Sequence, residues 1–405
     1  MTRHAGWFLT ASLTLHVLAV IVFPPMPLDL RVYREASPLV LSGGLYDYQL
    51  HTSPPIPVLP FTYPPFAALV FLPLSWIPWT AAIALWQAAS VGALAVMCAC
   101  ADRLLFTGRD RNGRSRVMLW TAGGLWLEPV RHTLDQGQVN LLLGALVLGA
   151  LALLRTAAGR GTVLGLAAAV KLTPAFGGLY LLATRQWRAA AWALAAAVGA
   201  TALAWQVAPH ESVRYWFTLV TDTQRIGPLW SVRNQSLRGA LSRLLGPDAD
   251  TAVAWWTALA LVTVLPGRAL WNAVRRQDLL GILITAELYG LLVTPISWSH
   301  HWVWCLPTMI WLAHGPARRR LLSRVALVAW AITTVGRVVP LLIRAEDGLP
   351  HPSPYPALLA WPGAAYAVCA VLSFLAIGAG PEAADAGPAR PTRVDEAWGA
   401  RDQGR

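Results

Sequence analysis

Long apolar runs separated by short polar stretches occupy most of this chain, and many of them approach the length that crosses a bilayer. A membrane-spanning helix needs about 20 mostly apolar residues, and fewer where protein surrounds it. The pattern predicts an all-α polytopic membrane protein with about 12 transmembrane segments. These predicted segments are residues 6–23, 79–101, 117–129, 139–154, 162–170, 174–184, 189–207, 252–272, 278–295, 301–313, 321–341 and 357–379.

The runs 162–170 and 174–184 are too short to cross as two ordinary helices. Between them lies Lys171, the only lysine of the chain. Non-helical backbone at membrane depth is tolerated only where it is buried in protein or lines a cavity. The sequence therefore predicts short or broken helices near Lys171.

Arginine clusters between the apolar runs indicate the orientation, because cytoplasmic loops of membrane proteins are enriched in Arg and Lys. Alternating the predicted segments puts every arginine-rich loop on the side of both termini, the cytoplasm. The two longest outer loops are residues 24–65 and 208–251, and loops of that length in compact proteins are usually functional. The remaining outer loops are residues 130–138, 296–300 and 342–356.

Composition agrees with the membrane class, since 56% of the residues are hydrophobic and only 13% are charged, against about a quarter in soluble domains. The formal charge of +12 does not indicate a nucleic-acid partner, because the arginines are spread over short loops. The four cysteines lie in apolar runs without metal-ligand spacing and are expected to be core thiols. Residues 1–380 are predicted to form one membrane domain, and residues 381–405 a disordered cytoplasmic tail.

Five polar motifs that are far apart in sequence fall at the same predicted outer face. Ionisable groups at membrane depth are costly and indicate a functional site by default. We therefore predict a membrane-embedded enzyme with its active site on the outer side. The motifs are Asp29-Leu-Arg-Val-Tyr33, Gln136-Gly-Gln-Val-Asn140, Lys171-Leu-Thr-Pro174, Asn234-Gln-Ser-Leu-Arg238 and Ser299-His-His-Trp302.

Asp29 follows the first predicted span directly. A carboxylate at the membrane boundary can accept the proton of a hydroxyl group there. The alternative is an N-cap for a surface helix over Leu30 to Leu41, which Gly43-Gly44 would end. Both interpretations are open at this stage.

One carboxylate suffices as a base when the leaving group is a phosphate ester, because that group departs as a stable anion, whereas glycosidases need two carboxylates. Lys171 can bind a phosphate as a point charge, and His300 or His301 can serve as donors or proton carriers. The alternatives are a snorkelling lysine and an interfacial polar turn.

Amide side chains suit sugar hydroxyls because they both donate and accept hydrogen bonds. Helix capping and loop solvation are the alternative for them. Tyr63 can stack on a sugar ring, but its position before Pro64-Pro65 favours an interfacial anchor. The candidate sugar-binding residues are Tyr63, Gln136, Gln138, Asn140, Asn234, Gln235 and Arg238.

Asp248-Ala-Asp250 matches the D-x-D pattern of metal-binding sugar-nucleotide enzymes. It follows Gly246-Pro247 and precedes an apolar run, so a turn and a helix N-cap explain it without metal. No zinc, Walker, Rossmann or Ser-His-Asp pattern is visible, and we expect neither a metal nor a cofactor.

The chain resembles the actinobacterial GT-C glycosyltransferases of family 87, and within them the polyprenol-phosphate-mannose-dependent mannosyltransferases that extend phosphatidylinositol mannosides. The resemblance runs from about residue 6 to 380. The motifs that support it are the five above together with Leu45-Tyr-Asp-Tyr48, Pro60-Phe-Thr-Tyr-Pro-Pro-Phe66 and the longer stretches Asp135 to Asn140 and Pro295 to Trp302.

This resemblance implies a GT-C fold in the bacterial inner membrane and a lipid-linked mannose donor used from the periplasmic side. It also implies an inverting, metal-independent transfer to the 2-hydroxyl of an acceptor mannose, with Asp29 as the essential base. Mannose and the acceptor come from the resemblance alone. Other enzymatic interpretations are lipomannan branching and arabinofuranosyl transfer.

Two interpretations from other classes also remain. Broken spans around a lone lysine occur in lipid or solute transporters. The chain shows no repeated halves, however, and its polar motifs gather at one face. A non-catalytic scaffold for envelope assembly is the third interpretation, and such a protein would tolerate Asp29→Asn.

Overall fold

The computed structural model describes residues 4–52, 58–106, 112–246, 253–347 and 355–379. Most of these residues are helical, and the described part of the chain contains one short antiparallel hairpin, formed by strands β1 (Gln49–Leu50) and β2 (Leu59–Pro60) in the first outer loop. The predicted D-x-D motif, Asp248 and Asp250, and the predicted tail 381–405 lie outside the described residues.

The helices follow in chain order. The first eleven are α1 (Ala5–Val22), α2 (Leu28–Ala36), α3 (Leu39–Ser42), α4 (Pro65–Phe71), α5 (Trp79–Leu105), α6 (Gly113–Gly124), α7 (Glu128–Gln136), α8 (Asn140–Leu153), α9 (Ala157–Val170), α10 (Gly177–Ala183) and α11 (Trp187–Val207). The others are α12 (Pro209–Arg214), α13 (Leu237–Leu245), α14 (Val253–Arg275), α15 (Leu279–Val293), α16 (Cys305–His314), α17 (Leu321–Val335), α18 (Val338–Asp347), α19 (Ala357–Ala360) and α20 (Ala365–Ala379). Short 3₁₀ segments cover Leu72–Trp76, Thr173–Phe176, Ser299–Trp304 and Pro362–Ala364, and Tyr215–Leu219 forms a π-helical turn.

Among the described residues, five helical stretches are long and apolar enough to cross a membrane. Two bent helix pairs raise this number to seven if each pair is one span. The all-α class and the integral-membrane character are therefore confirmed. About 12 segments stays a prediction, because the further apolar helices are shorter than a full span. The five stretches are Ala5–Val22, Trp79–Leu105, Trp187–Val207, Val253–Arg275 and Ala357–Ala379.

The predicted surface helix after the first span is present as α2 and α3, with Gly43 at its end in the left-handed region at φ 89°. It is interrupted at Ser37-Pro38. The N-cap of α2 is Pro27, and Asp29 is the second residue of the helix. The N-cap interpretation of Asp29 is therefore wrong, and its carboxylate is available for other contacts.

The region predicted as a span over 117–129 followed by a loop over 130–138 folds differently. α6 ends at Gly124, and α7 forms a separate helix that meets α8 at an angle of 118°. Gly137 makes the turn at φ +67°, and a Cβ there would lie 2.7 Å from Leu30 Cβ. This close approach, which only glycine permits, sets the α7–α8 turn against α2, the helix of Asp29.

Lys171 is positioned by the packing of α9 on α11. A Cβ at Gly161 or Gly165 would collide with the Ala189 or Ala193 carbonyl of α11. Small residues at this spacing let two membrane helices approach closely. α9 then ends at Lys171, whose backbone is extended, and the 3₁₀ turn Thr173–Phe176 follows. The predicted break in this pair is confirmed.

Candidate active site

Asp29 is partly buried, and its carboxylate accepts a hydrogen bond from the Gln138 side chain. The Gln138 Oε1 atom accepts two hydrogen bonds of 2.9 Å, from the hydroxyls of Tyr33 and Tyr63. These two hydroxyls lie 2.7 Å apart. Because the phenols occupy the amide oxygen, the amide nitrogen is the end left for Asp29.

Lys171 lies in the same network and is only 9% exposed. Its Nζ donates to Asn140 Oδ1 at 2.7 Å and lies 3.5 Å from the Tyr63 hydroxyl. The ammonium group also stands 5.3 Å from the centre of the Tyr63 ring, within the range of a cation–π contact. The snorkelling interpretation of Lys171 is wrong, because the charge is held inside the protein.

Asn140 connects the lysine to the paired histidines. Its Nδ2 donates to the His300 carbonyl at 2.9 Å, and Thr133 Oγ1 donates to the same oxygen at 2.9 Å. The rings of His300 and His301 are 4.7 Å apart. Neither ring nitrogen of His300 has a hydrogen-bond partner among the described residues. Two motifs about 160 residues apart in sequence therefore meet at one site.

The charges of the site act on one another. Burial raises the pKa of the Asp29 carboxyl to about 6, while the hydrogen bond from Gln138 and the electrostatic influence of Lys171 and His132 act in the opposite direction. Burial also lowers the pKa of the His300 imidazole well below its usual range. Burial lowers the pKa of the Lys171 ammonium group to about 7, while the Asp29 charge acts in the opposite direction. Near neutral pH the site therefore combines an ionised carboxylate with a lysine that gains or loses its proton in this range, and with His300 as a neutral imidazole.

This arrangement is suited to removing a proton from a hydroxyl group and stabilising an anion nearby. The base has a pKa just below neutrality, where a general base is most effective. Within the described ranges no three His, Cys, Asp or Glu side chains are close enough to hold a metal ion. The chemistry available to these side chains is acid–base and electrostatic.

Tyr63 belongs to this network, and the interfacial-anchor interpretation is wrong for it. It is 7% exposed, and its hydroxyl is shared between Tyr33 and Gln138. Gln136 lies partly exposed at the end of α7, two residues before Gln138. Both stay candidates for contact with a substrate.

Asn234 and Gln235, in contrast, do not face a cleft. Both are fully buried. The Asn234 amide donates to the Leu229 and Pro295 carbonyls and accepts from the backbone nitrogens of Ser236 and Ser297. Because these bonds use the polar atoms of the amide, sugar binding by Asn234 is excluded in this conformation.

Gln235 is occupied in the same way. Its amide donates to the Val232 and Gly363 carbonyls and accepts from the backbone nitrogen of Tyr366. Both predictions of sugar binding are therefore corrected. The Asn234 amide holds the outer loop against the segment before His300, and the Gln235 amide holds it against Gly363 and Tyr366. Arg238 is half-buried on α13, and its predicted contact with a sugar or phosphate stays a prediction.

Several site residues were missed by the sequence reasoning. Tyr33 lies one helical turn after Asp29, a spacing that places both on one face of α2. That spacing is a signal that could have found it. His132 and Glu128 are one turn apart on α7. The sequence predicts a span that ends at residue 129 and a loop over 130–138, so it does not indicate that these two residues share a helical face.

Comparison with known proteins identifies the family of this chain. The model of glycosyltransferase family 87 matches residues 61–295. A polyprenol-phosphate-mannose-dependent alpha-(1-2)-phosphatidylinositol pentamannoside mannosyltransferase of Mycobacterium tuberculosis (strain CDC 1551 / Oshkosh) is 42% identical over 342 residues, which are 84% of this chain and 78% of the relative. The protein of the same name from Mycolicibacterium smegmatis (strain ATCC 700084 / mc(2)155) is 40% identical over 84% of this chain and 82% of its own length.

A second kind of relative is more distant. A polyprenol-phosphate-mannose-dependent alpha-(1-2)-phosphatidylinositol mannoside mannosyltransferase of Mycobacterium tuberculosis (strain ATCC 25618 / H37Rv) is 34% identical over 78% of this chain and 77% of the relative. No solved structure matches the chain.

Proposed function

Because this chain belongs to glycosyltransferase family 87, we propose that it is a mannosyltransferase of the membrane that extends a phosphatidylinositol mannoside. In this proposal the donor is polyprenyl-phosphate-mannose and the acceptor is the 2-hydroxyl of a mannose on the glycolipid. The activities after which the relatives are named support both substrates. The proposal needs no metal or cofactor, because the leaving group is already a stable anion.

The observation on which the mechanism depends is the partly exposed Asp29 carboxylate beside the buried Lys171 charge. Asp29 accepts the proton of the acceptor 2-hydroxyl as that oxygen attacks the anomeric carbon of the donor. The new bond joins the acceptor oxygen to that carbon. The bond from the carbon to the phosphate oxygen breaks, and its electron pair leaves with the polyprenyl phosphate.

Attack from the face opposite the phosphate inverts the anomeric carbon, so that a β-linked donor gives an α-(1→2) product. The phosphate gains one negative charge in this step. Lys171 and one of His300 or His301 stabilise that charge, and preorganised groups in a poorly hydrated site do this well. Proton transfer from Asp29 to water completes the cycle.

The placement in the membrane is part of the proposal. The arginine-rich loops favour a cytoplasmic position for both termini and a periplasmic position for Asp29. A GT-C arrangement with about 12 segments, in which the short helices flank Lys171, is consistent with the broken pair α9 and α10. Residues 381–405 are proposed to be a cytoplasmic tail.

The test is an assay of the purified protein with radiolabelled polyprenyl-phosphate-mannose and a defined phosphatidylinositol mannoside. Wild type is expected to form an α-(1→2)-linked product. Asp29→Asn, which keeps the shape of the side chain but removes the base, is expected to lower kcat by about 1,000-fold. Asp47→Asn is the matched control, because Asp47 is 66% exposed in the same outer loop and pairs with Arg214.

A wild type without product from this donor and acceptor would refute the substrates. Equal product from wild type and Asp29→Asn would remove Asp29 from the mechanism. Movement of the glycolipid across liposomes without bond formation would favour the transporter interpretation instead.

A further inference from the structure

His132 has a partly open side chain beside the proposed reacting centre. Its ring lies 4.9 Å from the ring of His300, and the side chain is close enough to the Asp29 carboxylate to interact with it electrostatically. The side chain is 29% exposed, whereas His300 is buried. His132 therefore lies near both the proposed base and the paired histidines, and part of its side chain is exposed.

The closed edge of the ring is held by two buried groups. His132 Nδ1 lies 2.8 Å from Ser299 Oγ and 3.4 Å from Glu128 Oε1. Glu128 is almost completely buried, and its second oxygen accepts from the Tyr366 hydroxyl. These contacts fix the ring plane, since rotation of the ring would break them.

The direction of these hydrogen bonds determines which nitrogen has the proton. The Ser299 hydroxyl donates its only proton to Glu128 Oε1 at 2.9 Å. Because Ser299 cannot also donate to His132, Nδ1 must be the donor of their 2.8 Å contact. In the neutral imidazole the other nitrogen, Nε2, then has a free lone pair.

We propose that His132 Nε2 accepts a hydrogen bond from a sugar hydroxyl next to the reacting carbon. This hydrogen bond makes His132 a specificity residue, oriented by Glu128 and Ser299. The inference rests on the proposed function. The hydroxyl belongs either to the donor mannose or to the acceptor mannoside. A site built to accept from a hydroxyl rejects the analogue that lacks it, because its own polar group then loses its partner.

Two substitutions separate the two edges of the ring. In His132→Gln the longer amide can reach the position of Nε2, whereas in His132→Asn the shorter amide reaches only the position of Nδ1. If Nε2 recognises the sugar, His132→Gln keeps most of kcat/KM and His132→Asn loses about tenfold. If His132 only supports Glu128 and Ser299, His132→Asn is the better tolerated change, and the proposal is overturned.

Deoxy sugars identify the hydroxyl and provide a readout that a structural role would not change. Single 2-, 3-, 4- and 6-deoxymannosyl donors form one arm. Single 3-, 4- and 6-deoxy acceptors form the other, because the acceptor 2-hydroxyl is the nucleophile. We expect that replacing the natural sugar by one of these analogues lowers kcat/KM of wild type about tenfold. The same replacement should not lower kcat/KM of His132→Phe further, because that variant already lacks the hydrogen-bond acceptor. The proposal would be overturned if, for every analogue in both arms, the deoxy sugar lowered kcat/KM of His132→Phe by the same factor as that of wild type.

The controls separate this inference from the proposed function. His210→Gln changes a histidine that is 86% exposed on α12 and is expected to behave as wild type with every analogue. Ser299→Ala removes the acceptor for Nδ1 and is expected to weaken the discrimination against the same deoxy sugar. An active wild type with the wrong pattern refutes the role of His132 alone, whereas an inactive wild type refutes the proposed function.

Discussion

Two polar clusters of this protein have similar amide-rich sequences but different structures. The turn cluster consists of Gln138 and Asn140 at the α7–α8 turn, together with Asp29 and Lys171. The loop cluster consists of Asn234 and Gln235, together with Arg243 and Glu346. Both occur at the predicted outer face, and the amides of both were predicted from sequence to bind sugar or phosphate.

The clusters differ in what their polar atoms bind. In the loop cluster Arg243 donates to the Ser231, Asn234 and Gly363 carbonyls, and the Glu346 carboxylate accepts from Ser231 Oγ and the Val232 nitrogen. In the turn cluster, side chains bind mostly other side chains, and Asp29 remains partly exposed. A cluster that saturates backbone groups stabilises the fold, whereas one that supports a partly open carboxylate can act on a substrate.

The largest expected effect on activity, after Asp29 itself, comes from the turn cluster. Lys171→Met keeps the length of the side chain and removes the charge. We expect kcat to fall by about 100- to 1,000-fold, as for loss of one group that stabilises a developing anion. The matched control is Arg233→Met, which removes an outer-face cation that pairs with Asp347. Comparable kcat values for wild type and Lys171→Met, measured with saturating donor, would contradict the assignment.

The loop cluster is expected to show the opposite behaviour. Asn234→Ala leaves buried backbone groups of Ser236, Ser297, Leu229 and Pro295 without partners, which costs about 2–3 kcal/mol of stability. Thermal unfolding in detergent should show a lowered Tm. The protein that remains folded should keep kcat within about threefold of wild type, since Asn234 faces no substrate.

The reverse result, an unchanged Tm with a large loss of kcat, would place Asn234 in the active site after all.

Asn140→Ala is the corresponding substitution in the turn cluster. It removes the contact to Lys171 Nζ and is expected to reduce kcat more than Asn234→Ala does.

The sequence was sufficient for features that depend on local signals. Apolar run lengths predict the five long helical stretches that can cross a membrane, Gly43 ends the surface helix, and the short runs around Lys171 indicate a break. It could not separate Gln138 from Asn234, because both are amides in polar motifs at one face. The distinction depends on whether backbone groups distant in sequence occupy the amide, and that is decided only by tertiary packing.

His132 shows a second limit of the sequence. A single histidine in a predicted loop has no periodic pattern around it, and its role depends on Ser299, which is 167 residues away. The helix α7 itself was missed because a nine-residue helix that bends sharply into the next one does not have the length of a span.

A smaller effect is expected at the turn that brings the two halves of the site together. Gly137→Ala places a methyl group in a left-handed turn and against Leu30, at a cost of about 1–2 kcal/mol. Because Leu30 adjoins Asp29, displacement of α2 should lower kcat/KM by about tenfold. Gly123→Ala is the control, since a Cβ there meets nothing within 4 Å. Equal kcat/KM for the two variants would mean that the turn does not position Asp29.

The smallest effect is a shift in the pH profile. A base must be ionised to accept a proton, so kcat/KM should fall about tenfold per pH unit below a pKa of about 6. Loss of the Lys171 proton above its lowered pKa of about 7 should reduce kcat/KM on the alkaline side. The hydrogen bond from Gln138 favours the ionised form of Asp29 and lowers its pKa. Gln138→Leu should therefore shift the acidic fall of kcat/KM to higher pH, by a fraction of one pH unit. Asn234→Ala should not shift this fall of kcat/KM, because the Asn234 amide contacts backbone groups and lies outside the turn cluster. If the acidic fall of kcat/KM shifted in Asn234→Ala but not in Gln138→Leu, the loop cluster and not the turn cluster would control the base.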